Sequence, residues 1–151
     1  MKEPKEIVNR KAKFEYEFIQ EFDAGLMLLG TEVKSLREGN ANLSDAYCMF
    51  RDGGLYVRSM YIGEYTHGNI FNHETRRERK LLLKKRELHK LDRRVTEKGL
   101  TIVPYKIFFS DRGLAKLRIA LAQGKKTYNK KETIRERDAQ REMDRIKKEY
   151  S

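Results

Sequence analysis

The sequence contains one cysteine, Cys48, so it can form no internal disulfide and no cysteine-rich zinc site. It has no apolar run near the ~20 residues needed to cross a bilayer as a helix. Its first thirteen residues lack the apolar stretch of a secretory signal. A cytoplasmic protein without a membrane role is the expectation. Apolar residues are also scarce, 38% of the chain against a usual ~45–50%. A modest core is expected, with a large polar surface or a tail that adds little to it.

Charge is present in excess. Charged residues make up 38% of the 151, and 34 Lys/Arg against 23 Asp/Glu give a net charge of +11. A chain of this size that repels itself so strongly calls for a polyanionic partner. The basic residues come in blocks with no strongly apolar face beside them, which favours nucleic acid over a membrane surface.

Along the chain, residues 1–13 read as a flexible N-terminal segment. Phe14, Tyr16, Phe18 and Phe22 suggest a half-buried strand, Asp23-Ala24-Gly25 a turn, and Leu26–Leu29 a second strand. Val33 and Leu36, followed by Gly39, predict a short helix. Residues 44–50 and 55–62 flank Arg51-Asp52-Gly53-Gly54 and predict a hairpin. Residues 63–73 read as a loop. Thr75 and Glu78 have capping-box spacing, and Leu81, Leu88, Leu91 and Val95 recur at helical steps, so a helix is expected over 75–98, ending at Gly99. Its residues 76–94 hold ten Lys/Arg against three acids, dense enough to suggest phosphate binding through Arg76, Arg77, Arg79, Lys80, Lys84, Lys85 and Arg86. Val103–Phe109 and Ala115–Leu121 alternate as two strands, with Pro104 at an edge or bulge. About six strands with two or three helices point to a mainly β domain, most economically a closed antiparallel barrel.

From Gly124 the composition shifts: residues 124–151 hold ten Lys/Arg, six Asp/Glu and few large apolar residues. Such a segment is expected to be disordered alone. Thr133 and Glu136 have capping-box spacing, and Ala139, Met143, Ile146 and Tyr150 form a thin apolar stripe, so it is expected to become helical on a partner. Tyr128 between two lysine pairs suits phosphate contact and base stacking.

Catalytic groupings are sparse. His67 and His73 share one loop without a third ligand in sequence, His89 stands apart, and Cys48 reads as a small core hydrophobe. Gly53-Gly54 precedes a strand and so is no phosphate loop. No cofactor or metal is expected and no catalytic residue is assigned. A metal-dependent nuclease built on His67 and His73 is the distant alternative.

Seven stretches follow in order: Asn9-Arg10-Lys11-Ala12, Gly30–Arg37, Ala41–Tyr47, Asn72-His73, Arg79–Leu83, Lys85–Leu88 and Gly124–Asp138. Together they resemble the SmpB family, the protein partners of transfer-messenger RNA in ribosome rescue. The resemblance implies an oligonucleotide-binding-like barrel at 14–123 that holds the tRNA-like domain of transfer-messenger RNA. It also implies a basic tail at 124–151, helical on the ribosome in the decoding region and empty messenger channel. The positions matching the family's RNA contacts are Asn9, Tyr16, Asp23, Leu82 and Lys116, with Arg79 and Lys80 in the basic segment. Asp23 stands where Glu is frequent. Gly124, Lys125, Lys126, Tyr128, Asn129, Lys130 and Lys131 match the tail motif, with Asn129 replacing the usual Asp and Lys131 the usual Arg. Glu74-Thr75 replaces a frequent Asp-Pro. The free protein is expected to be monomeric and not an enzyme. A general tRNA- or ribosomal-RNA-binding barrel is the alternative within the same class.

Overall fold

A computed structural model describes residues 6–66 and 71–125. The predicted tail helix, and with it Lys126, Tyr128, Asn129, Lys130 and Lys131, lies outside the described residues, as does His67. Among the described residues the chain is mainly β, with nine strands and three helices. The strands are β1 (Ile7–Val8), β2 (Tyr16–Leu26), β3 (Ala41–Asn42), β4 (Tyr47–Arg51), β5 (Gly54–Arg58), β6 (Tyr61–Ile62), β7 (Arg79–Leu82), β8 (Thr101–Phe109) and β9 (Ala115–Gly124). The helices are α1 (Arg10–Glu15), α2 (Gly30–Arg37) and α3 (Lys85–Lys98). Seven strands form one antiparallel sheet in the order β1-β8-β9-β2-β7-β5-β4, and β3 pairs with β6.

One face of this sheet carries the core. Phe22 and Ala24 of β2, Leu117, Ile119 and Leu121 of β9, Ile107 of β8, Leu81 of β7 and Leu55 and Val57 of β5 are all buried there. Leu36 from α2 and Leu91 from α3 complete it, with Leu88 and Val95 packed alongside. The predicted stripe on α3 is therefore its docking face. Cys48 packs against the same core, and burial raises its thiol above its ordinary pKa.

Local signals were read correctly where the chemistry is local. Asp52 and Gly53 both have positive φ, 50° and 77°, the left-handed pair that a tight β4–β5 hairpin requires. Gly99 ends α3 at φ 64°. The β8–β9 ladder shifts register between Pro104 and Lys106, the bulge that a proline without an N–H imposes.

Five expectations fail. Residues 6–13 are tied down, not frayed: Ile7 and Val8 pair with Ile107 and Lys106, and α1 begins at Arg10. Phe14 belongs to that helix, so the first long strand starts at Tyr16. Asp23-Ala24-Gly25 is not a turn, and Leu26–Leu29 is no second strand, since one strand ends at Leu26. β2 runs through the triplet because β9 pairs with Asp23, Ala24 and Gly25, and β7 pairs with Gly25 and Leu26. The helix expected over 75–98 starts only at Lys85, where the Lys84 N–H donates to Glu87 Oε1 at 3.0 Å. Before it, Arg79 to Leu82 alternate buried, exposed, buried, exposed as strand β7. A buried arginine in the pattern disguised the period of two as a charged helix face.

Candidate nucleic-acid interface

The side of the sheet opposite the core is divided between a helix and solvent by two bulges. In β2 the pairing with β9 shifts between Phe18 and Gln20, so one extra residue, Ile19, enters the strand. Side chains alternate faces along a strand, so Tyr16 and Phe18 would otherwise lie opposite Asp23 and Gly25. The extra residue puts all four on one face. There Phe18 meets Tyr105 edge-on at 5.3 Å, and both join Tyr16, Ala12, Val103 and Ala122 in a small second core under α1. α1 thus covers one end of the outer face.

The other end stays open. Arg118 lies opposite Asp23 on β2 and Lys106 on β8. One step on, Gly25 is flanked by Lys116 on β9 and Leu82 on β7, and Lys116 in turn by Phe108 on β8. Lys80 follows two residues before Leu82 and pairs with Tyr56 of β5. The open face therefore presents Lys106, Lys116, Arg118 and Lys80 with Phe108, Tyr56 and Leu82 among them. Leu82 is 50% exposed, an apolar side chain held outward. Gly25 makes room for it, since a Cβ there would sit 3.2 Å from Leu82 Cβ. Cations interleaved with rings and an outward leucine suit an RNA surface, where phosphates need charge and bases need a flat apolar partner.

Two contacts order this face. Asp23 accepts two hydrogen bonds from Arg118, Nε to Oδ1 at 2.7 Å and Nη2 to Oδ2 at 3.2 Å, and these bonds raise the arginine's pKa. The same guanidinium lies 5.1 Å from the Phe108 ring centre. Lys106 is held by Glu6 at 3.2 Å.

The sequence-predicted residues fall into two groups. Asp23, Leu82, Lys116 and Lys80 share the open face. Asn9 and Tyr16 line a groove of about 240 Å³ beside α1, at the other end of β2, with Asp45, Tyr47 and Pro104. Asn9 is fixed there by its N–H to Tyr105 O at 2.7 Å and by Nδ2 to Pro104 O at 3.3 Å. Gly124 is the partner of Tyr16, and the Lys125 N–H donates to Glu15 O, so the chain leaves the sheet next to this groove.

Arg79 belongs to neither group. It is wholly buried, and its guanidinium donates from Nε to Glu32 Oε2, from Nη1 to Met60 O at 2.6 Å and from Nη2 to Thr75 O at 3.2 Å. Glu32, also wholly buried, accepts from Arg77 at 2.7 Å and from the Leu29 N–H at 2.8 Å. Burial raises the Glu32 carboxyl, but the bonds from Arg77, Leu29 and Arg79 outweigh it and hold the pKa below the ordinary value. Burial lowers that of Arg79 against the pull of Glu32. Arg79, expected on an exposed basic helix, instead locks β7 to α2. Arg76 pairs with Asp45 at 3.5 Å. Of the dense basic run, Lys80 faces out on the sheet, and Lys84, Lys85 and Arg86 open α3, where no described ion pair engages them.

His73 is also a fold residue. It is buried, with Nε2 2.8 Å from Ile62 O and Nδ1 2.8 Å from Thr31 Oγ1. Nε2–H donates to the carbonyl, which leaves Nδ1 to accept the threonine hydroxyl. Both ring nitrogens are occupied, which argues against a metal role for His73. Among the described residues no group of three or more His, Cys, Asp or Glu is arranged to hold a metal ion, and no helix is long and apolar enough to cross a membrane.

Arg118 and Phe108 were missed from sequence, where they looked like ordinary strand residues. The signal was the β8–β9 register, which places them diagonally on the face of Asp23.

The model of the SmpB protein family matches residues 6–149. The chain belongs to the SmpB family. Curated relatives agree over nearly full length. The SsrA-binding protein of Christiangramia forsetii is 53% identical over 150 residues, covering 99% of this chain and 96% of that protein. The SsrA-binding protein of Sinorhizobium fredii is 52% identical, covering 93% of this chain and 89% of that one. A chain in the solved structure described as "tmRNA-SmpB: a journey to the center of the bacterial ribosome" is similar at a TM-score of 0.67. It is 47% identical, and 81% of this chain and 85% of that chain are covered. The SmpB family match reaches into both the N-terminal groove and the segment beyond Lys125.

Proposed function

We propose that this protein is an RNA-binding partner of transfer-messenger RNA that delivers it to stalled ribosomes for trans-translation. The observation that carries this reading is the open outer face, where Lys80, Lys106, Lys116 and Arg118 surround Leu82 and Phe108, in a chain of the SmpB family. The tRNA-like domain binds this face, where Asp23, Lys80, Leu82 and Lys116 lie together, and the groove of Asn9 and Tyr16. The sheet curls into an oligonucleotide-binding-like barrel, a reading supported by β4 lying close to β8 across the core. The barrel spans residues 14–123, with β1 and the start of α1 as its N-terminal extension.

Residues 124–151 act on the ribosome, occupying the decoding region and the empty messenger channel. Gly124 and Lys125 begin this segment beside the Tyr16 groove, so RNA grip and ribosome entry share one end of the sheet. The protein works in the cytoplasm as a monomer when free. It supplies shape and charge and performs no covalent step of its own.

Binding to a tRNA-like RNA and to an unrelated duplex of equal length tests the RNA half of this reading. A clear preference for the tRNA-like RNA at physiological salt, with affinity falling steeply as salt rises, is expected. Equal affinity for the two would leave only a general RNA-binding protein.

A further inference from the structure

The open face carries carboxylates among its cations: Glu21 and Asp23 line one hollow with Arg118, and Glu6 pairs with Lys106. A carboxylate on a phosphate-binding surface repels its ligand, yet Asp23 stands among these cations, 46% exposed. Its two oxygens are both taken by Arg118. The guanidinium is fixed twice over, by this fork and by its position over Phe108 at 5.1 Å. Arg118 is itself 31% exposed, and its Nη1 has no hydrogen-bond partner among the described residues. An arginine has five N–H donors, so the fork to Asp23 leaves donors to spare. A guanidinium already forked to a carboxylate and held over a ring loses less freedom when it binds a phosphate than a free side chain does.

We propose that Arg118 is a preorganised phosphate clamp for the RNA backbone, and that Asp23 is its positioning residue rather than an RNA contact. Lys116 lies two residues before Arg118 on β9 and on the same face. That separation is about 7 Å along the strand, comparable to one nucleotide step. The two cations therefore engage neighbouring phosphates, and Leu82, across Gly25 from Lys116, packs beside them. The clamp explains a carboxylate in this place: removing it frees the arginine and leaves the cation less well aimed. The proposal rests on the RNA-binding function given above.

The test uses the full chain and the tRNA-like domain of transfer-messenger RNA, with affinity measured across a salt series. The variants are Arg118→Ala, Arg118→Lys, Asp23→Ala, Asp23→Glu and the double variant Asp23→Ala/Arg118→Ala, each checked for an unchanged melting temperature. Arg118→Ala is expected to weaken binding about tenfold, the worth of one charge-assisted hydrogen bond. It also flattens the log–log salt slope by about 0.7–0.9, the loss of one phosphate contact. Arg118→Lys keeps the charge but loses most of the tenfold. Asp23→Ala weakens binding several-fold, Asp23→Glu restores it, and the double variant is no weaker than Arg118→Ala alone. Tighter binding by Asp23→Ala would show a merely repulsive carboxylate and overturn the clamp. So would effects of the two residues that multiply in the double variant, or a salt slope unmoved by Arg118→Ala. Wild-type protein that fails to bind this RNA overturns the function and the clamp together; wild-type binding without the variant pattern overturns the clamp alone.

Discussion

Replacing Glu32 by alanine removes the one carboxylate that neutralises a fully buried arginine. Arg79 is 0% exposed and stays in place through Met60 O and Thr75 O, so its charge would remain in the core without a counter-ion. Breaking one side of a buried ion pair costs about 3–5 kcal/mol. The Leu29 N–H at the start of α2 would lose its acceptor as well. For a domain of this size each kcal/mol moves the melting temperature by about 2–4 °C, so Glu32→Ala should melt about 6–20 °C lower. Arg79→Met in the Glu32→Leu background should recover part of the loss, because two apolar groups need no partners. The pH dependence has a definite sign. The folded Glu32 carboxyl lies below its ordinary value, so its stabilisation is complete above the unfolded pKa and disappears as pH falls through the folded one. Glu32→Gln should therefore lack part of the acid-side loss of stability seen in the wild type. Chemical denaturation of wild type, single variants and the double variant between pH 3 and 7 measures all of this. A Glu32→Ala loss below about 1 kcal/mol, or additive single effects in the double variant, would refute the network's role.

Other expectations follow from the sheet. Deleting Ile19 removes the extra residue of β2 and turns Tyr16 and Phe18 away from α1, so it should destabilise strongly. Ile19→Ala, at a position 44% exposed, should cost under about 1 kcal/mol in the same melting assay. Leu82→Ala should leave the melting temperature almost unchanged but weaken binding of the tRNA-like RNA, read by filter binding or fluorescence. Gly25→Ala should do the same by displacing Leu82, because the added Cβ meets Leu82 Cβ at 3.2 Å. Cys48, half-buried with its thiol pKa raised by that burial, should alkylate more slowly at pH 8 in the native protein than in the unfolded chain.

What could be read from the sequence was what short-range chemistry decides. The Asp52-Gly53 hairpin, the Gly99 stop, the Pro104 bulge and the apolar stripe of α3 each depend on neighbours within a few residues. What escaped depends on distant partners. β2 passes through Asp23-Ala24-Gly25 because strands about 60 and 95 residues away hydrogen-bond to it there, and Arg118 neutralises the aspartate that suggested a turn. β7 was hidden because Arg79 fills an inward position that only the equally buried Glu32 makes tolerable. The site was partly visible. Asp23, Leu82 and Lys116 were named from family resemblance, but nothing in the linear order shows that they sit within two ladder steps of each other. Arg118 and Phe108 carry no motif at all; only the register of β8 against β9 brings them to Asp23.

The most direct test is reconstituted tagging on ribosomes stalled at the end of a truncated message, with transfer-messenger RNA and either the full chain or a chain ending at Lys125. The full chain should support tagging, and the shortened chain should bind the RNA within about twofold of the full chain yet fail to tag. Tagging by the shortened chain would contradict the role given to residues 126–151, and absence of tagging with the full chain would contradict the function itself.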